Sequence, residues 1–146
     1  PPEQIYDMEV PDGFDRRLAI DLYLLGSLAH FLFTKVGMTA AIDRRLSPPH
    51  RHQAWGDSYA AVLPFVRDAF DASLSKLQGY LNSIIVNEET VNRAVKAVGE
   101  LCDPDPLRRG HPSNRARGRE QYSLERYVTE FDLLAKRAEY QIRRGI

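Results

Sequence analysis

The chain has 146 residues and a mass of 16.7 kDa, the size of one domain. Its 43% apolar content is enough for a sizeable core, and with 27% charged residues it excludes global disorder. Twenty basic residues balance twenty acidic ones, which excludes a whole-chain basic field for nucleic acid, and the single cysteine, Cys102, excludes an internal disulfide.

Residues 1–16 carry Pro1, Pro2, Pro11 and Gly13 without a clear period, and read as an extended or looped opening segment. No basic region or apolar run of a secretion signal opens the chain. The first helix is predicted over Arg17 to Thr34. Its apolar residues cover nearly all faces, so burial on all sides is expected, with other elements packed around it. The apolar stretch from Leu18 to Phe33 is broken by Asp21, Ser27 and His30 and is shorter than the roughly 20 residues of a bilayer span. A soluble cytoplasmic protein is expected, in keeping with one unpaired cysteine.

Thr39 to Leu46 reads as a short helix, stopped by Ser47-Pro48-Pro49. Asp57 or Ser58 caps the next one. Pro64 falls in or just after its first turn, or kinks it. Phe70, Leu74, Leu77 and Leu81 then mark one helical face. Asn87-Glu88-Glu89 starts a helix to about Leu101, with the stripe Val91, Val95, Val98 and Leu101. Cys102-Asp103-Pro104-Asp105-Pro106 ends it and opens a loop to about Tyr122. Ser123 caps the last helix, which carries Leu124, Tyr127, Val128, Phe131, Leu134, Ala135, Ala138 and Ile142. Arg143 and Arg144 suit its C-terminal pole, and Gly145 follows as a stop. The expectation is an all-α single domain, 1–146, with one buried central helix and three or four amphipathic ones around it.

Three segments, in order, resemble the C-terminal lobe of a protein kinase. Pro1-Pro2-Glu3 is similar to the A-P-E element that closes the activation segment, with Pro1 in place of alanine. Asp21-Leu22-Tyr23-Leu24-Leu25-Gly26 resembles the aspartate-x-tyrosine/tryptophan-serine-leucine-glycine start of the large central helix, with Leu24 in place of serine. Ala29 to Lys35 continues that likeness, with Lys35 where glycine is commoner. Leu101 to Gly110 resembles the leucine-x-x-aspartate-proline-x-x-arginine turn late in the lobe. The likeness covers roughly residues 1–112, and 113–146 would be a loop and a helical extension.

The resemblance implies a pairing of Glu3 with Arg109, which a bidentate Arg–carboxylate geometry would suit. The alternative is a solvated Glu3 and an Arg109 in a basic loop. It also implies that Asp21 anchors the backbone of a catalytic loop. In an apolar helix an unpaired carboxylate is costly, so Asp21 is expected to accept hydrogen bonds from amides or a cation. Compensation by the helix dipole, or by Arg16 and Arg17, is the other reading. Glu3, Asp21, Gly26 and Arg109 are thus structural-motif residues, and no catalytic residue is assigned.

The glycine-rich loop, the phosphate-binding lysine, the catalytic aspartate and the D-F-G aspartate all precede A-P-E in a kinase chain, and none of these motifs is present. ATP and Mg are therefore expected only for a longer parent, and no cofactor is expected in this chain. The implied function is the C-lobe portion of a serine/threonine protein-kinase-like phosphotransferase, supporting the catalytic loop and protein-substrate binding. The alternative is a stand-alone, non-catalytic interaction module derived from a kinase or pseudokinase. An unrelated helical bundle is the third reading.

Other constellations carry less. His50, His52, Cys102 and His111 lack zinc-site spacing, so no metal is expected. Arg108, Arg109, Arg115, Arg117 and Arg119 cluster in one loop without interleaved aromatics. They read as a solvated loop or as a phosphate or partner contact rather than a nucleic-acid platform. Trp55, Tyr59 and Phe65 read as core packing or as a partner groove. The candidate partner-binding residues are Trp55, Tyr59, Arg115, Arg117 and Arg119. The expected partner is a protein, with no membrane involved. Self-association through surface left by a missing lobe is a further expectation.

Overall fold

Pro2 stands at the first position of a short helix, α1 (Pro2–Ile5), where its missing N–H costs nothing. The opening segment is therefore partly helical, against the looped expectation. The computed structural model describes residues 1–8, 10–117 and 120–144. In it, Asp12 Oδ1 accepts from the N–H groups of Phe14 (2.8 Å) and Asp15 (2.9 Å). This cap starts α2 at Gly13, earlier than the apolar pattern alone indicates, and α2 runs Gly13–Thr34. Lys35 ends it in the left-handed region, with φ 60°, and its N–H returns to the Phe31 carbonyl at 2.7 Å.

The following elements are α3 (Met38–Asp43), a 3-10 turn at Pro48–His50, and α4 (Tyr59–Ile84). Helix α4 runs through Pro64; the carbonyl that Pro64 cannot serve belongs to Ala60, an exposed residue that water reaches. Asn87 Oδ1 accepts from Thr90 N–H at 2.9 Å, and Glu88 and Glu89 sit in the first turn of α5 (Glu88–Leu101). The stretch read as a loop contains α6 (Pro112–Ala116), with Pro112 at the first position and His111 Nδ1 accepting from Ser113 N–H at 3.1 Å. Helix α7 covers Glu125–Arg144. Every helix and turn of the described residues fits the all-α expectation, and there is no strand among them.

Helix α2 packs against α3, α4 and α5, and α7 lies along α5. Val91, Val98 and Leu101 of α5 are buried and Val95 is half-buried, so the stripe faces the core. The α7 stripe is thinner. Tyr127 and Leu134 are buried and Phe131 is half-buried, but Val128, Ala135 and Ala138 are exposed. The side chain of Ile142, and Gly145, lie outside the described residues.

The central helix departs most from expectation. One face of α2 is buried: Ala19, Leu22, Tyr23, Gly26, Ala29 and His30. The opposite face is open, with Leu24 55%, Leu28 54%, Phe31 45% and Leu32 60% exposed. The expectation of burial on all sides is therefore corrected: α3, α4 and α5 cover only half of the cylinder. At 22 residues and a best-window mean hydropathy of 1.2, α2 is also long and apolar enough to cross a membrane by length and composition alone.

Candidate functional site

The turn after α5 is built by its own aspartates. Asp103 Oδ1 accepts from Asp105 N–H at 2.9 Å, and Asp105 Oδ1 accepts from Leu107 N–H at 3.0 Å. These Asx turns fold the chain back so that Arg109 points inward. Gly110 follows with φ 92°, and a Cβ there would collide with the Gln121 carbonyl oxygen, so only glycine fits. Gln121 Nε2 closes the turn by reaching the carbonyls of Pro106 (3.2 Å), Leu107 (3.0 Å) and Arg109 (2.9 Å).

Arg109 and Glu3 form a bidentate pair across 106 positions of sequence, Nη1 to Oε1 at 2.7 Å and Nη2 to Oε2 at 2.9 Å. Nη1 also donates to the Ala19 carbonyl of α2 at 2.9 Å, and Nε to the Asp103 carbonyl at 3.0 Å. The guanidinium lies 5.0 Å from the centroid of the Tyr23 ring. Both residues are sealed from water, Arg109 at 0% and Glu3 at 2% exposure. Burial by itself depresses the guanidinium pKa, and the bond to Glu3, its negative charge and the neighbouring Tyr23 and Cys102 together outweigh it, so Arg109 sits above its ordinary value. Four N–H bonds of the guanidinium are engaged, so the pair is a clamp between α1, α2 and the turn and is not free to act on a substrate.

Gly26 serves the same joint. A Cβ on it would meet Cys102 Sγ and Leu101 Cβ, both at 2.6 Å, so its absence lets α2 approach the end of α5. Cys102 is buried and its Sγ donates to the Tyr23 carbonyl at 3.5 Å. Burial pushes the Cys102 thiol far up, the opposite of what a nucleophile needs.

Asp21 does not behave as a buried carboxylate. It is exposed on α2 and has no hydrogen-bond or ion-pair partner among the described residues. The amides or cation expected for it are not found among the described residues, where its carboxylate is open to water. It stands beside the open face carrying Leu24 and Leu28.

The candidate partner residues do not form one surface. Tyr59 is a core residue: it is buried, its hydroxyl donates to the Pro104 carbonyl at 2.7 Å, and its ring meets Tyr6 at 5.7 Å. That leaves it no accessible face for a partner. Trp55 is half-buried against the core and donates Nε1 to the Ser58 carbonyl at 3.1 Å. Arg115 is half-buried with Nη1 enclosed and without a hydrogen-bond partner, Arg117 is exposed, and Arg119 lies outside the described residues. Among the described residues no three His, Cys, Asp or Glu side chains group as a metal site.

Two clefts went unnoticed in the sequence. One, of about 270 Å³, lies between α5 and α7 and is lined by Arg93, Lys96, Glu100, His111, Arg126 and Glu130, among others. The other, of about 90 Å³, lies where α2 ends beside α3 and α4. Neither had a sequence signal, since each draws its charges from separate segments. No family model, curated protein or solved structure matches the chain.

Proposed function

We propose that this chain is the helical C-lobe portion of a serine/threonine protein-kinase-like protein, which supports a catalytic segment and protein-substrate binding in a longer parent. The observation that carries the reading is the buried Glu3–Arg109 clamp, because it joins the first and third resembling segments at the residues the resemblance selects. The close approach at Gly26 adds the second segment to the same joint. In this reading the open face of α2, with Asp21 beside Leu24 and Leu28, is the seat of the parent's catalytic segment. Asp21 would then receive backbone amides from that segment, as a positioning residue without chemistry of its own.

The test is the intact mass of the natural gene product after affinity capture, followed by a phosphate-transfer assay. A mass well above 16.7 kDa together with ATP-dependent labelling of protein supports the reading. In that parent, Asp21→Leu is expected to abolish labelling while leaving the melting temperature in place. A natural product of 16.7 kDa overturns it in favour of a stand-alone interaction module.

A further inference from the structure

We propose that the small cleft between the end of α2, the end of α3 and the middle of α4 is an oxyanion site, which takes phosphate or a terminal phosphoryl group. Its volume is about 90 Å³. That is room enough for a small tetrahedral ion or for the phosphoryl end of a larger molecule. Three cations line it: Arg44 and Arg45 just after α3, and Lys76 of α4. Among the described residues no carboxylate lines it. The larger cleft between α5 and α7 is different, because Glu100 and Glu130 line it and Glu130 already holds Arg93 at 2.6 Å.

The three cations are available for binding. The side chains of Arg44 and Lys76 make no hydrogen bond or ion pair among the described residues, and the Arg45 side chain donates only Nη1, to the Ala41 carbonyl at 2.9 Å. The chain has as many acidic as basic residues, so acidic partners are not scarce. Like charges gathered on one small cleft repel, and a bound dianion converts that repulsion into attraction. The His30 Nδ1 and the two hydroxyls of the lining are engaged elsewhere. His30 Nδ1 donates to the Val36 carbonyl at 2.6 Å. Thr34 donates its hydroxyl to the His30 carbonyl at 2.8 Å, and Ser73 to the Ala69 carbonyl at 2.8 Å. The charge for binding therefore comes from Arg44, Arg45 and Lys76.

Cations after a helix end also offset its dipole, which accounts for Arg44 and Arg45 without a ligand. It does not account for Lys76, which sits well inside α4. Lys76 is therefore the residue that decides.

The experiment is calorimetric titration of the chain with inorganic phosphate at constant ionic strength. One saturable site is expected. Lys76→Gln and Arg44→Gln, both at exposed positions, should each weaken it about tenfold or more, the scale of one charge-assisted hydrogen bond. Arg126→Gln, in the other cleft, should leave it unchanged. A parallel titration with O-phosphoserine separates the sources: competition means that a phosphoryl group on a larger molecule is accepted, and its absence means that the free ion alone is. Either arm keeps the oxyanion chemistry. No saturable heat into the millimolar range overturns the proposal. So does binding that Lys76→Gln leaves intact, or a loss that Arg126→Gln reproduces equally.

Discussion

Arg109→Ala tests the structural reasoning most sharply. The substitution leaves Glu3 at 2% exposure with both carboxylate oxygens unpaired, and removes the donors to the Ala19 and Asp103 carbonyls. A partly buried hydrogen-bonded charge would cost about 1–3 kcal/mol to lose. Deleting one member of a fully buried pair costs about 3–5 kcal/mol, because the surviving charge stays in a low-dielectric site. With a urea slope of about 2 kcal/mol per molar, the midpoint should fall by about 2 M. The assay is urea denaturation followed by far-UV circular dichroism. Arg117→Ala, at an exposed position, is the control and should change stability by less than about 0.5 kcal/mol. The double replacement Glu3→Leu with Arg109→Met should recover most of the loss, since it removes both charges and keeps apolar volume. A shift below about 0.5 M for Arg109→Ala would refute the claim that the pair clamps the fold.

Three further outcomes are expected. Gly26→Ala should destabilise by about 1–3 kcal/mol, since its Cβ lands 2.6 Å from Leu101 Cβ and α2 must move off α5; thermal melting at or above the wild-type value would contradict that packing. Burial holds the His30 pKa below its ordinary 6.5, only partly offset by the bond to Val36. Below about pH 6.5 the unfolded chain then binds more protons than the folded one, so stability should fall as pH drops and stay level above that value. Calorimetric melting in phosphate-free buffer should show a shallower acid decline for His30→Gln, and identical slopes would remove His30 as the cause. Cys102 should react with a thiol reagent only as fast as the chain opens, because it is buried and its thiol is pushed up; labelling of the native chain at the rate of the urea-unfolded chain would show that the site is open.

Much of the secondary structure was legible in the sequence because its signals are local. Helix α5 carries its cap, its acidic first turn and its stripe within residues 87–101, and the structure keeps those bounds. The start of α2 was missed because its signal is the Asp12 cap, which lies upstream of the apolar run. Helix α6 was missed for a related reason: its start depends on a histidine ring acting as a cap before Pro112, a weak pattern inside a basic loop.

The sequence alone determined that the chain is helical and where several of its helices begin and end, and the resemblance of three short segments implied which arginine would seek Glu3. These follow from proline, capping residues and three-four spacing, which act within a few residues, and from the order of three short segments. Only the tertiary structure decided how deeply the pair is buried, and so whether its loss costs about 1 or about 5 kcal/mol. It alone decided that α2 is covered on one face, because a run that is apolar on every side carries no information about which side is packed. It alone gathered Arg44, Arg45 and Lys76 on one cleft, since those positions become neighbours only when α3 and α4 pack together.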